Sequence, residues 1–515
     1  MNPSTIKQLA FIEGACVMLL ELSIPHVMAP VLGNSINVWS TMIMMSVGGL
    51  AIGYFLGAKI ISSQKPNHPI HFIFGINILI LSLCILLITI QNWIGLGMNP
   101  INSAYFLAFL SLLIPCVFFG ALPPVLISMG KSIGPKMIGE VFFYSTIGGV
   151  IFTLLTGYFL IPQMGLLLTL SVGILLLIYG LYKTEKLIDF LGIKKWGILS
   201  FSLLCILISN TYQVTPSEKV EIIHFSEGLN GQVLVAETDQ EKILFINRMG
   251  QTRVYKANGS SVWTYPYFIK SLASILPKGS NSLVLGLGGG IVPMELESPD
   301  IGHLVSAVEI DSKIIEVANE HFGLENSNVE VFEDDGRRFI NKSQKKYDLI
   351  VLDVFNGEIA PSHVLSKEAF LQLRKILSAK GFVIINFNGF LFGQEGVSTR
   401  SLIKTIRSAG LDLKICPTLE EGESQRNNIL IAYEKEPDWS SAKQPIVYNG
   451  KSCRVGIEFP FFEESKLKNL SSFIVTDDKP LMEDLNKFAA MKWREEYLKN
   501  YTLKYRDDWS VPLIK

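Results

Sequence analysis

The stretch Ser282-Leu-Val-Leu-Gly-Leu-Gly-Gly-Gly290 joins a short apolar run to a cluster of glycines. A second apolar run, 304–308, leads into Glu309, and Asp311 follows shortly after. This order predicts a strand, a glycine turn, a helix, a second strand and an acidic residue. Glycines let the backbone turn tightly and approach a ligand, and an acid after the second strand can hold the two hydroxyls of a ribose.

The spacing of these glycines distinguishes between two kinds of ligand. Gly286 and Gly288 fit the start of a dinucleotide fingerprint, but Ile291 stands where its third glycine would be. A glycine turn combined with a strand-terminal glutamate fits a nucleoside better, of the S-adenosylmethionine kind. The alternative is an ordinary buried parallel strand that ends in a glycine turn and binds nothing.

Strands and helices alternate from residue 282 onwards, which predicts a parallel sheet covered by helices on both faces. The predicted strands are 282–286, 304–309, 328–332, 348–353 and 381–387. Before them, residues 220–256 alternate with a period of two, with Gly and Asn between the runs. That pattern predicts a small antiparallel β-domain.

Polar residues and glycines stand at the carboxyl ends of the predicted parallel strands, where such sheets bind their ligands. The groups are the glycine turn, Glu309 with Asp311, the Asp-Asp-Gly of 334–336, and Asp353 followed by Asn356. Each acid alone is more often a helix N-cap than a ligand contact. Four such groups in register predict one shared site.

The chain is 49% hydrophobic, but its charged residues fall mostly within 215–515 and leave 1–210 largely apolar. About seven segments there approach the roughly 20 residues needed to cross a bilayer, which predicts a transmembrane helical bundle. The segments are 8–31, 36–58, 70–91, 102–128, 138–161, 163–182 and 196–210. A stripe of small residues in the second segment predicts close helix packing. The stripe consists of Gly48, Gly49, Gly53 and Gly57.

Lysines predict how these segments are oriented. They follow the second, fourth and sixth segments, while the loops after the first, third and fifth carry no Lys or Arg. The N-terminus is therefore expected in the cytoplasm. A seventh crossing would place the C-terminal half outside, away from a cofactor that is supplied only inside. Because 196–210 is the shortest segment, we interpret it as lying in the interface of a bacterial inner membrane, with the C-terminal half cytoplasmic.

Charge and cysteine usage indicate which partners to expect. A net charge of −1 without a basic stripe gives no sign of nucleic-acid binding, and none is expected. Six cysteines without paired metal spacing predict no metal site. Glu13, Glu21 and Glu140 lie within apolar segments, where acids are costly. They either pair within the bundle or form a polar site for an acceptor or a transported solute.

Taken together, these residues resemble the spermidine synthase, or polyamine aminopropyltransferase, family. The motifs occur in the family's order over residues 220–435. They are Asn230-Gly-Gln232, Tyr265, the glycine turn, Val308-Glu-Ile-Asp311, Asp335-Gly336 and Tyr347-Asp-Leu-Ile-Val-Leu-Asp353. The N-terminal half is similar to the membrane domain fused to many bacterial members, through Ala29-Pro-Val-Leu-Gly-Asn-Ser-Ile-Asn-Val-Trp39. The late Thr476-Asp-Asp-Lys-Pro480 also matches that group, so the resemblance covers nearly the whole chain.

The resemblance implies a role for each matching position. Gln232 would contact the aminopropyl donor, Glu309 would hold the ribose hydroxyls, and Asp335 would accept from the adenine amino group. Tyr265 would help to orient the attacking amine, and Asp353 is the surviving acid of the family's gate segment. The expected nucleoside-binding set is completed by Gly286, Gly288, Gly290, Asp311 and Gly336.

Two positions depart from the family. Gly289 stands where the family's glycine turn carries an Asp that binds the donor's amino group, and Asn356 replaces the second gate acid, the usual base. An amide can orient an amine but cannot accept its proton. Deprotonation would fall to Asp353, Glu358, His363 or a water. The nucleoside pocket is thus expected to be retained and the amine pocket to be altered.

The expected fold is an α-helical transmembrane bundle of about seven spans, fused to a small antiparallel β-domain and an α/β Rossmann-like, methyltransferase-type domain with a parallel sheet. The expected domains are 1–212, 213–260, 261–436 and 437–515, the last a partly helical extension. A homodimer is implied by the resemblance alone.

Three functions remain open. The leading one is transfer of an aminopropyl or related group from decarboxylated S-adenosylmethionine to a small or membrane-borne amine, with Asp353, Tyr265 and Asn356 as catalytic residues. The second is methyl or other alkyl transfer from S-adenosylmethionine to a membrane-associated acceptor. The third is a transporter or sensor whose soluble half binds a nucleoside or polyamine without turnover. None of these requires a metal.

Overall fold

The computed structural model describes residues 2–33, 36–63, 68–94, 100–130, 134–184, 195–211, 217–228, 231–355, 360–418, 426–442, 445–448, 451–453 and 461–501. Contacts within the chain divide it into two units, Met1–Ser217 and Glu218–Tyr501. The four domain bounds expected from the sequence stay predictions. Asn356 and Glu358 lie outside the described residues.

The first unit is helical throughout its described part. Its helices are α1 (Pro3–Leu32), α2 (Ile36–Ser63), α3 (His68–Ile94), α4 (Pro100–Ala108), α5 (Ile114–Met129), α6 (Lys136–Leu155), α7 (Ile161–Lys183) and α8 (Lys195–Thr211). Short π-helical turns, Phe109–Leu113 and Thr156–Leu160, join α4 to α5 and α6 to α7.

Among the described residues, four helical stretches are long and apolar enough to cross a membrane, judged by length and composition. They are Pro3–Leu32, Val38–Ile61, Asn102–Met129 and Lys136–Lys183. The last has 48 residues and covers two predicted segments. At about 1.5 Å per residue it exceeds the roughly 30 Å hydrocarbon core more than twofold. Gly165, at φ 74° and ψ 174°, interrupts the helical geometry within it. The expectation of seven spans is therefore not confirmed.

Small residues bring helices of this unit close together, as the glycine stripe predicts. A Cβ on Gly53 would lie 2.2 Å from the Val117 carbonyl oxygen of α5, and one on Gly14 of α1 would lie 1.9 Å from that of Ser145 in α6. Only glycine permits such backbone contact. Gly48 is different, because a Cβ there would meet nothing within 4 Å.

The second unit begins with an antiparallel sheet in the order β1-β2-β3-β4. Its strands are β1 (Val220–Gly228), β2 (Gly231–Thr238), β3 (Glu241–Ile246) and β4 (Met249–Tyr255). The pairing follows the predicted alternation. These strands share a contact unit with the sheet that follows, so a separate domain over 213–260 stays a prediction.

The second sheet of this unit has the order β10-β11-β9-β8-β5-β6-β7. Its strands are β5 (Asn281–Leu285), β6 (Leu304–Glu309), β7 (Glu330–Glu333), β8 (Tyr347–Leu352), β9 (Leu377–Gly389), β10 (Asp412–Pro417) and β11 (Arg426–Tyr433). A further pair, β12 (Ile446–Tyr448) and β13 (Lys451–Cys453), forms a small sheet of its own.

The second sheet is mixed, which corrects the expectation of a purely parallel one. Strands β5 to β9 pair in parallel, but β11 runs antiparallel to both β9 and β10. A short connection between neighbouring strands imposes antiparallel pairing, because a parallel pair needs a long crossover. The apolar run that forms β11 carries no signal of direction, so periodicity alone could not reveal this insertion.

Helices cover the second sheet: α9 (Tyr265–Ala273), α10 (Ile291–Glu297), α11 (Ser312–Phe322), α12 (Gly336–Lys342), α13 (Lys367–Ile376), α14 (Val397–Ser408) and α15 (Met482–Tyr501). The expected C-terminal extension is partly helical through α15. Val475 and Met482 from this region are fully buried in the same apolar cluster as Leu285 and Leu352 of the sheet. The extension thus contributes to the core of the second unit.

Candidate functional site

Backbone hydrogen bonds align the carboxyl ends of the central strands. The Asp353 N–H donates to the Leu285 oxygen at 2.8 Å, and the Gly286 N–H donates to the Val308 oxygen at 2.9 Å. On the far side, the Asp334 N–H donates to the Glu309 oxygen at 3.0 Å. The four groups predicted from strand ends therefore lie side by side along one edge of the sheet, except for Asn356, which is not described.

The glycine turn between β5 and α10 requires its glycines. Gly286, Gly288 and Gly290 have φ of 90°, 54° and 79°, values that other residues rarely adopt. A Cβ on Gly286 would also stand 2.0 Å from the Asp353 carbonyl oxygen. The turn therefore requires glycine at these positions, as the sequence pattern predicts, while close approach of a ligand to its backbone stays a prediction.

Gly289 is constrained by its neighbours, although its φ is not in the left-handed region. Its N–H donates to the Thr252 hydroxyl of β4 at 2.8 Å. A Cβ at this position would lie 2.7 Å from the Thr252 methyl carbon and 3.1 Å from the Phe322 ring. The space that an aspartate side chain at position 289 would need is thus already occupied.

Glu309 ties the end of β6 to the glycine turn. One carboxylate oxygen accepts from the Leu287 N–H at 3.1 Å, and the other accepts from the Ile310 and Asp311 N–H groups at 2.9 and 3.0 Å. Burial raises the pKa of Glu309, and the hydrogen bonds from Asp311 and Leu287 oppose that rise. The side chain stands where a ribose bound over the turn could add its hydroxyls as donors. That contact stays a prediction.

Asp311 and Asp335 both cap helices. Asp311 is buried and accepts from the Lys313 N–H at 3.0 Å, at the start of α11. Asp335 accepts from the Arg338 N–H at 2.8 Å, and its other oxygen lies 3.3 Å from His363 Nε2. Capping accounts for one oxygen of each carboxylate, so their contact with a nucleoside stays a prediction.

Gly336 and Gln232 complete the expected nucleoside set. Gly336 begins α12, and a Cβ there would meet Leu285 at an ordinary 3.6 Å, so glycine is not required sterically. Gln232 lies buried at the start of β2. Its backbone N–H donates to Asn247 Oδ1 at 3.1 Å, and its carbonyl accepts from the Asn247 N–H at 2.9 Å.

Asp353 is held from two sides. The Tyr265 hydroxyl donates to Oδ2 at 3.1 Å, and Asn386 Nδ2 donates to Oδ1 at 2.9 Å. Burial raises the pKa of Asp353, while the bonds from Asn386 and Tyr265 lower it. Two of the three catalytic residues expected from the sequence, Asp353 and Tyr265, are thus in contact, and the third, Asn356, is not described. A half-buried, oriented carboxylate here can attract a cation or accept a proton.

Asn386 was missed by the sequence reasoning. It lies within the apolar run of β9, and its Oδ1 accepts from Asn427 Nδ2 of β11 at 2.7 Å. Because a carboxylate only accepts, Asn386 must turn its NH2 towards Asp353 and its oxygen towards Asn427. An amide directly after the apolar run Phe382-Val-Ile-Ile385 was the available signal, since a buried polar side chain needs a partner.

Comparison with known proteins supports the resemblance. Residues 269–417 match the model of the Spermine/spermidine synthase domain. The polyamine aminopropyltransferase of Vibrio vulnificus is 32% identical over 217 residues, which is 40% of this chain and 71% of that protein. Polyamine aminopropyltransferase 2 of Aquifex aeolicus is 24% identical over 437 residues, 80% of this chain and 84% of that protein.

A solved structure is also similar. The probable spermidine synthase from Corynebacterium glutamicum aligns with 49% of this chain and 96% of its own, at 15% identity and a TM-score of 0.40. The Vibrio vulnificus relative exceeds 30% identity over more than two thirds of its length. On that sequence similarity, this chain belongs to the spermidine synthase-like family of polyamine aminopropyltransferases.

Proposed function

We propose that this protein is an integral membrane enzyme that transfers an aminopropyl group from decarboxylated S-adenosylmethionine to an amine. The observation that carries the proposal is the Asp353 carboxylate, oriented by Tyr265 and Asn386 beside the glycine turn. Membership of the family supports the reaction class. The acceptor is a small amine or one borne by the membrane.

The reaction is a substitution at carbon. The lone pair of the amine nitrogen attacks the aminopropyl carbon next to the sulfonium, and the carbon–sulfur bond breaks. Its electron pair goes to sulfur, so neutral methylthioadenosine leaves. The new ammonium then gives a proton to Asp353 or to a water. An oriented carboxylate also favours the approach of the cationic amine.

Membrane insertion is supported by the outer surface of the first unit. Large apolar side chains are exposed along it, with Phe55 of α2 at 71% and Tyr158 after α6 at 82%. So many large apolar side chains exposed on one helical unit are unusual for a protein surrounded by water. The similarity to the Aquifex aeolicus protein covers 80% of this chain, more than 218–501 alone contains.

We place the second unit in the cytoplasm, where the nucleoside is made.

The decisive experiment measures methylthioadenosine release by the full-length protein in detergent, supplied with decarboxylated S-adenosylmethionine and putrescine. Release is expected, and Asp353→Asn should lower it by roughly 10²-fold or more. Substitution with Asn keeps the shape and removes the charge. The proposal is overturned if no amine in a panel of diamines and polyamines produces methylthioadenosine.

A second candidate function is alkyl transfer from S-adenosylmethionine itself. The observation in its favour is Gly289, whose surroundings are filled by Thr252 and Phe322 and leave no acid for the donor's amino group. Without that acid, selection against the donor's carboxylate is weaker. Release of S-adenosylhomocysteine would select methyl transfer, and release of methylthioadenosine from S-adenosylmethionine would select transfer of its other alkyl group.

A further inference from the structure

A cluster of metal-binding side chains lies between β1 and α11. One ring nitrogen from each of His224 and His321 and a carboxylate oxygen of Glu320 lie within 4.8 Å of one another. The two imidazole centroids are 5.3 Å apart, with ring planes at 66°. We propose that these three side chains bind a divalent transition metal of the Zn²⁺ type.

The donor set selects the class of metal. Two imidazoles and one carboxylate are common ligands of Zn²⁺, and three protein ligands leave a fourth position for water. Ca²⁺ and Mg²⁺ prefer oxygen ligands throughout, so they are poor candidates. The sequence predicted no metal because these residues are far apart in the chain, and folding alone brings them together.

His321 offers a nitrogen that lacks another use. Its Nε2 is buried and, within the described part of the chain, has no hydrogen-bond partner. The Glu320 carboxylate is 3.8 Å away, beyond hydrogen-bond distance. A buried polar atom without a partner is costly, and such atoms in native proteins call for an explanation. A metal ion between Nε2 and the carboxylate would satisfy both.

The backbone of β1 presents His224 to the same place. The pairing of β1 with β2 shifts register between Ile222 and His224, a bulge of the kind that redirects a side chain. Nε2 of His224 lies 2.8 Å from the Ser226 hydroxyl, which would orient the ring with Nδ1 as ligand.

Such a metal would stabilise the end of α11, which packs against the glycine turn. It would fasten β1 to the last turn of α11, where Lys242 Nζ already donates to the His321 carbonyl at 2.7 Å. The next residue, Phe322, packs against Gly289. The expected role is therefore structural support beside the nucleoside site, and it does not depend on the proposed transfer reaction.

The test is Zn²⁺ binding by the full-length protein in detergent after chelator treatment, measured by calorimetry and thermal unfolding. One Zn²⁺ per chain is expected, with a rise in Tm of roughly 2 °C or more at saturation. His224→Gln, His321→Gln and Glu320→Gln should each weaken binding more than about 100-fold. Ser226→Ala should weaken it roughly 10-fold, the usual effect of losing an outer partner.

Glu325→Gln is the matched control, because it removes the same charge from an exposed acid close to Glu320 and should leave the affinity unchanged. The Glu320 side chain is 56% exposed, so Glu320→Gln is expected to fold and keeps the test available if a histidine variant does not fold. The proposal is overturned by the absence of stoichiometric Zn²⁺. It is equally overturned if wild type and Glu320→Gln bind Zn²⁺ with the same affinity. His224 and His321 would then be two rings in contact and not a metal site.

Discussion

The Thr252 hydroxyl accepts a 2.8 Å hydrogen bond from the Gly289 N–H, so a residue of the antiparallel sheet closes the glycine turn of the second sheet. The Thr252 methyl and the Phe322 ring occupy the direction in which a side chain at 289 would leave. The space that the family's acidic side chain would need at position 289 is therefore occupied by side chains of β4 and α11.

Restoring that acid alone is expected to be harmful. Gly289→Asp should destabilise the protein by about 1–3 kcal/mol, because the new side chain overpacks against Thr252. Adding Thr252→Ser removes the methyl and keeps the hydroxyl, so it should recover part of the loss. Thermal unfolding in detergent measures both. Gly336→Ala is the control, since its Cβ has ordinary room. Equal stability of wild type and Gly289→Asp would contradict the steric account.

The pH dependence of the transfer rate should change when the hydrogen bond from Tyr265 to Asp353 is removed. The reacting form of Asp353 is the carboxylate, so the rate falls as pH drops through its raised pKa. Tyr265→Phe removes a bond that stabilises the charged form, so the acidic limb should move to higher pH. The log of kcat/KM against pH, from methylthioadenosine release, measures this shift.

Tyr267→Phe is the matched control for that experiment. Its hydroxyl donates to the Ser261 carbonyl at 2.8 Å and makes no such bond to Asp353. The acidic limb should therefore stay in place in this variant. A limb that moves equally in both variants would argue against Asp353 as the titrating group.

Glu309 should matter for nucleoside affinity. Glu309→Ala removes an acceptor from the Leu287 N–H and from the expected ribose hydroxyls. Hydrogen bonds to charged groups contribute about 1.5–3 kcal/mol, so the Kd for methylthioadenosine should rise roughly 10- to 100-fold. Calorimetric titration measures it. An unchanged Kd would remove Glu309 from the site.

Asp311 can be tested for its two roles separately. Asp311→Ala should cost about 1 kcal/mol of stability through loss of the cap on α11, whereas Asp311→Asn keeps a good cap. If Asp311 also contacts the nucleoside through its charge, Asp311→Asn will weaken methylthioadenosine binding at unchanged Tm. Unchanged affinity would show a cap only.

The side of the membrane that holds the second unit can be read by a reporter fused after the last residue. A fluorescent protein that folds only in the cytoplasm should be bright, and alkaline phosphatase, active only outside, should be silent. The opposite pattern would place the second unit away from its nucleoside. That result would contradict the proposed function and leave the zinc site untouched.

Tyr265 was chosen through the family resemblance, whereas local pattern was enough to predict the glycine turn and the acids at strand ends. Short-range geometry governs such features, because parallel strands deliver their carboxyl ends to one edge. The position of β11 and the contact of Asn386 with Asp353 were not predictable, since they depend on pairings between distant segments. The His224–His321 cluster was missed for the same reason.

While Asp353 is ionised, the Asn386 amide has one possible orientation, with its NH2 group towards Asp353 and its oxygen towards Asn427. A proton on Asp353 Oδ1 would turn that acceptor into a donor, and Asn386 would have to rotate by half a turn to present its oxygen. Asn427 would then face an NH2 group in place of the oxygen it now meets at 2.7 Å. The side-chain ¹⁵N resonance of Asn427, on the one antiparallel strand among the described strands of the second sheet, would thus act as a remote reporter of protonation at Asp353 Oδ1.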